Sequence, residues 1–224
     1  MTIEEPVEAQ IHRGRHRRPA DDDVPDTGFL APPERTAEVE ALFAHDLENV
    51  GYVMNLSHAW GHLPDGHAAL FALLGRAAEA GGLGFRQRGV LVSAAASTLE
   101  DPHCALAWGT RLATEVGEDA AAAVLRGEDL DLPDGDQALA RWARQLAADP
   151  GGAEADDVQA LRDAGYDDAQ IFAITLFVAL RIAFSTVNDA LGARPNAAAA
   201  EAAPPAVRET VTYGRPIAAP DAAG

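Results

Sequence analysis

Between residues 36 and 192 the apolar positions recur every three or four residues and almost nowhere alternate at period two, which is the pattern of amphipathic helices. A first helix is predicted over residues 36–49, with Val39, Leu42, Phe43 and Leu47 on one face. A short second helix covers 54–62 and stops before Pro64, and a third runs over 65–80 until Gly81-Gly82 ends it. A fourth spans 85–98. Asp101-Pro102 then reads as an N-cap followed by proline at the first helical position, opening a helix that carries Cys104, Trp108 and Leu112.

An acidic connector is expected over 118–136, followed by a helix over 137–148 that turns Leu139, Trp142 and Leu146 inward. Asp149-Pro150-Gly151-Gly152 breaks it. A short amphipathic helix follows over 154–164, and Asp167 caps a long apolar helix running to about Leu191. Apolar residues surround that last helix on all sides, so it belongs either at the centre of the core or against another subunit. Arg181 sits in the middle of its apolar run, which is barely long enough for a bilayer, and the segment reads as a buried helix. The fold class is therefore all-α over residues 36–192. Residues 1–35 and 193–224, rich in Pro with Asp and Arg or with Ala, are expected to be tails that do not pack.

Composition narrows the chemistry. The chain carries 35 acidic and 17 basic residues, a formal net charge of −18, which repels both phosphate backbones and anionic lipid headgroups. Neither a nucleic-acid nor a membrane partner is expected. Every basic residue is arginine, so Schiff-base, PLP and P-loop lysine chemistry are excluded. The single cysteine, Cys104, excludes an intrachain disulfide and any multi-cysteine metal site within one chain, and suits a reducing cytoplasm. His12, Arg13, Arg15, His16, Arg17 and Arg18 are followed by Asp21-Asp22-Asp23 where an export signal would place its apolar segment, so none is expected.

Three segments resemble a known family. Tyr52-Val53-Met54-Asn55-Leu56 with His62 and Pro64 resembles the opening of the AhpD-like, carboxymuconolactone decarboxylase superfamily, in particular its peroxidase-related branch. The run ALARWARQLAADP (138–150), then ADDVQALRDA (155–164), Gly165 and residues 168–192, is similar to the second half of that branch. The resemblance covers roughly residues 50–192 and implies an all-helical, usually homo-oligomeric protein. Its implied reaction is thiol-dependent reduction of hydroperoxides, with an external thiol as reductant and no cofactor.

The family motif is a glutamate, then twelve residues later Cys-x-x-Cys, then a histidine four residues beyond the second cysteine. In this register Cys104 takes the second-cysteine position, the sulfur that attacks peroxide. Asp101 replaces the first cysteine, Trp108 the histidine and Gly89 the glutamate. The candidate site residues are accordingly Cys104, its neighbours His103 and Glu100, and His62 as a histidine brought in from another helix. His103 is one residue off the cysteine's helix face and is expected to be exposed. His58 and His62 share a metal-like i, i+4 spacing but lack a convincing third ligand, and no metal site is expected. Trp60, Trp108 and Trp142 read as core. At the N-terminus of its helix, the Cys104 thiolate is favoured by unpaired amides and the helix dipole, and disfavoured by Glu100, Asp101 and the desolvating Trp108. Two functions follow: a one-cysteine hydroperoxide reductase, or a helical oligomer that has lost the reaction and serves as a small-molecule-binding or scaffold protein.

Overall fold

The computed structural model describes residues 25–128 and 132–219, which form eleven α-helices and, among the described residues, no strand. In chain order these are α1 (Ala37–Val50), α2 (Asn55–Trp60), α3 (Pro64–Ala80), α4 (Phe85–Thr98), α5 (Pro102–Val116), α6 (Glu118–Arg126), α7 (Asp134–Ala148), α8 (Ala155–Asp163), α9 (Asp168–Leu191), α10 (Ala197–Ala202) and α11 (Pro205–Thr210). The all-α expectation holds.

Local chemistry sets the boundaries. Thr36 caps α1 by accepting the Val39 N–H, and Gly51 ends that helix in the left-handed region at φ 86°. Asp167 and Gln170 form a capping box at the start of α9, which Gly192 closes at φ 87°. The centre of the molecule is α4, whose Val90 to Ala96 are all buried between α5, α6, α7 and α9. Its small residues permit close approach. A Cβ built on Gly89 would meet Leu112 Cδ1 at 3.1 Å, so the space beside this glycine is filled by a leucine from α5.

The long helix α9 packs against α3, α4, α7 and α8 and buries Ile171, Ile174, Phe177, Val178 and Phe184. It is long and apolar enough to cross a membrane by length and composition. Here it serves as a core element, yet its outer side carries Phe172 at 71% exposure.

Three expectations need correcting. The connector over 118–136 contains α6, whose Ala121 to Leu125 are buried. Four successive alanines have the highest helix propensity, and Glu118 and Asp119 sit at the N-terminal end where the dipole favours them, so the acidic residues begin a helix and do not mark a loop. The segment from Ala193 onward packs as far as residue 219. Val207 is fully buried against the space left by Gly109, and Ala200, Ala203, Val211 and Ala218 are buried too. At the other end, the expected tail over 1–35 falls outside the described residues up to 24. Its described part docks on the end of α9: the Phe29 N–H donates to the Leu191 carbonyl at 2.8 Å, and Arg194 pairs with Asp26 at 3.1 Å.

If the C-terminal helices belong to the cooperative fold, Val207→Ala will lower unfolding free energy by about 1–3 kcal/mol in urea titrations, from lost methyl burial and a cavity beside Gly109. A detached tail would leave the midpoint unchanged.

Candidate active site

Cys104 is the third residue of α5, and its sulfur points inward at 1% exposure. The backbone there follows the predicted cap: Asp101 Oδ1 accepts the Cys104 N–H at 3.0 Å. The amide that would have favoured a thiolate is therefore already engaged by a carboxylate.

Two groups from α9 reach the sulfur. Arg181 Nη2 donates to Sγ at 3.2 Å, and Ser185 Oγ lies 3.7 Å away. Their i, i+4 spacing places both on one helix face, opposite the face of α5 that carries Cys104 and Trp108. Arg181 is only 6% exposed. Its guanidinium lies between two rings, 5.6 Å from the centroid of Trp108 and 5.1 Å from that of Phe184. Its Nε is buried without a hydrogen-bond partner, as is Asp101 Oδ2.

The electrostatics are opposed. Burial pushes the Cys104 thiol well above its ordinary value, and the charge and hydrogen bond of Asp101 push it further; Arg181 and Ser185 act in the other direction but do not overcome these. Cys104 rests as a thiol, held between a carboxylate and a guanidinium. Arg111, one turn beyond Trp108, lies 5.2 Å from that ring's centroid, and burial and the Arg181 charge hold its pKa below the ordinary arginine value.

The predicted site residues separate in space. His103 is half-buried, not exposed as expected, because the protein closes around the start of α5. Burial lowers its pKa, opposed by Asp101 and reinforced by Arg181 and Arg111. It makes no hydrogen bond to the sulfur. Glu100 is exposed and occupies the left-handed region at φ 58°, a turn conformation that directs the chain into Asp101. His62 is exposed with Nε2 3.0 Å from the Ala31 carbonyl, so the histidine proposed to replace the missing one is engaged elsewhere. His58 packs on Phe43, with ring centroids 5.0 Å apart. No group of three or more metal-ligating side chains occurs among the described residues.

Sequence reasoning missed Arg181 and Ser185 as site residues. The signal available is a lone charge in an apolar helix with a hydroxyl one turn on. Trp142 is core as expected, donating from Nε1 to Thr175 at 3.2 Å. Trp108 instead lines the site. Trp60 stacks on Phe184 at 5.3 Å and donates to the buried Asn188 at 2.9 Å.

No family model matches the chain, and no curated protein matches it. Solved structures do. A peroxidase-related protein with an alkylhydroperoxidase AhpD core from Ralstonia eutropha JMP134 superposes with a TM-score of 0.63 at 21% identity, covering 76% of this chain and 93% of that one. A peroxidase-related protein from Silicibacter sp. TM1040 gives 0.67 at 18% identity, covering 78% and 95%. The chain has the AhpD-like fold. The debrominase Bmp8, solved as a cysteine-to-alanine variant with 2,3,4-tribromopyrrole, also shares the AhpD-like fold, with a TM-score of 0.63 at 17% identity over 78% of this chain and 95% of that one.

The aromatic group beside Arg181 generates a stability prediction. His67 lies among Trp60, Phe71 and Phe184, and burial, with a smaller contribution from His45, pulls its pKa down from 6.5 to about 4. Between those values the unfolded chain binds a proton that the folded one does not, so this histidine lowers stability as pH falls from 6.5 towards 4. Urea midpoints measured across that window will fall less steeply in His67→Phe than in the wild type. Parallel slopes would show that His67 is not buried as described.

Proposed function

We propose that the protein is a one-cysteine, thiol-dependent hydroperoxide reductase that uses Arg181, and not a histidine, to support the sulfur. The observation that carries this reading is the 3.2 Å contact between Arg181 Nη2 and Cys104 Sγ in a buried site. A guanidinium without a directly bonded carboxylate is costly to bury. Its position suits a site in which negative charge develops, first on the sulfur and then on an oxygen leaving it.

In the reaction the thiol proton passes to Asp101, whose Oδ2 is buried with no hydrogen-bond partner. That transfer leaves the total charge of the site unchanged, because a thiolate facing Arg181 replaces a carboxylate. The sulfur attacks the terminal oxygen of R–O–O–H, the O–O bond breaks, and the alkoxide takes the proton back from Asp101. Cys104–SH and ROOH thus become Cys104–SOH and ROH. A first external thiol, R′SH, converts the sulfenic acid to a mixed disulfide with release of water. A second R′SH releases R′S–SR′ and restores the thiol. The lone cysteine requires the reductant to be external and agrees with a reducing cytoplasm.

The second reading, a lapsed binding or scaffold protein, is favoured by the sulfur's burial and by its raised pKa. One experiment separates the two. Purified protein is given a hydroperoxide and a small thiol, hydroperoxide loss is followed, and the intact mass is measured with peroxide alone. The enzyme reading predicts a gain of one oxygen that a thiol reverses, no turnover in Cys104→Ser, and turnover reduced by about 10²-fold in Arg181→Met. Methionine conserves apolar volume while removing the buried charge, so that variant is expected to fold. Wild-type turnover equal to that of Cys104→Ser supports the lapsed reading. Since the debrominase neighbour was solved with a bromopyrrole, a halogenated pyrrole belongs in the same assay as a second electrophile.

A further inference from the structure

The C-terminal segment that packs against expectation lies on the start of α5, the helix that carries Cys104 at its third position. After α11 the chain passes the start of α5, where Gly214 at φ 72° presses on the Glu100 carbonyl and the Pro102 ring. A Cβ at Gly214 would run into that carbonyl oxygen and would lie 2.6 Å from Pro102 Cδ, so only glycine fits the closed position. Tyr213 packs on the core beside Asp101 and Glu100, whose charges join burial in raising its phenol pKa. Beyond the glycine, Arg215 donates to the Asp189 carbonyl at 2.8 Å and lies over Phe29, and the Ala218 N–H donates to the Pro195 carbonyl at 2.8 Å.

We propose that residues 211–218 form a strap that opens and closes access to the Cys104 thiol. Asp101 and Pro102, on which the strap lies, are buried while it is closed, as is the sulfur one turn further into α5. The closed state carries its own reason to open. The Tyr213 hydroxyl is buried without a hydrogen-bond partner, and it gains water when the strap lifts. Arg215 and the Ala218 amide define the far anchor, and the buried Val211 defines the near one.

The inference rests on the proposed reaction only in that a substrate has to reach the sulfur. The test reads access and not turnover, so an inactive thiol under strap control and an active thiol without it give different results. Because Cys104 is the only cysteine, any thiol label reports on it alone. The full-length protein is alkylated with iodoacetamide in native buffer and at urea concentrations below the unfolding transition, and labelling is followed by intact mass. Wild-type labelling is expected to rise with a shallow urea dependence that marks local opening. Gly214→Val is expected to label at least about tenfold faster, because the side chain forces the strap off its seat. Tyr213→Phe moves the rate the other way, since it removes the unsatisfied hydroxyl of the closed state. Arg215→Ala, which loosens the far anchor, is expected to speed labelling even if Gly214→Val does not fold. Equal rates in wild type, Tyr213→Phe and Arg215→Ala overturn the proposal. So does labelling whose urea dependence matches global unfolding.

Discussion

A guanidinium taken out of water has to be met by something, and in this protein it is met by a sulfur. Removing a charge from solvent costs several kcal/mol unless the surrounding groups compensate it. Arg181 receives part of that compensation from the faces of Trp108 and Phe184 and part from the Cys104 sulfur, 3.2 Å from its Nη2. Helix α5 must start where it does for Cys104 to lie opposite the guanidinium, and the Asp101 cap fixes that start. Helix α9 must run through the core for Arg181 and Ser185 to point at the same atom. The local geometry of both helices thus converges on one sulfur.

The same arrangement fills the positions at which the motif this chain resembles carries proton-handling residues. Where the motif has glutamate, Gly89 allows α4 and α5 to approach until Leu112 fills the space. Where it has histidine, Trp108 provides a ring for Arg181 and a second arginine, Arg111. Where it has a resolving cysteine, Asp101 provides the helix cap. These replacements fit one another sterically and electrostatically. The result is a site with a carboxylate, a thiol and a guanidinium and, among the described residues, no histidine hydrogen-bonded to the sulfur.

Much of this was legible in the sequence. Period-3.6 patterning located eight of the helices, and Asp101-Pro102 placed the start of α5 to the residue. The failures have physical causes. The acidic flank of α6 looked like a connector because composition does not distinguish a solvated charge run from charges gathered at a helix N-terminus. The Ala/Pro-rich end looked unable to pack because two apolar residues, Val207 and Val211, carry its docking, and their receiving surface at Gly109 is a tertiary feature. Arg181 was invisible as a site residue because its partner lies 77 positions away, a separation that no local pattern reports. Adjacency to the cysteine points to His103 and Glu100, but His103 lies one position round the helix from the sulfur and Glu100 lies in the left-handed turn before the Asp101 cap.

The central claim is that Arg181 makes Cys104 a better nucleophile towards peroxide than its resting ionisation alone would allow. The direct measurement is the second-order rate constant for Cys104 with hydrogen peroxide at neutral pH, in wild type and in Arg181→Met, against free cysteine under the same conditions. The account predicts a wild-type constant above that of free cysteine and a variant constant below it. A wild-type constant at or below that of free cysteine, unchanged on removing the guanidinium, would contradict it.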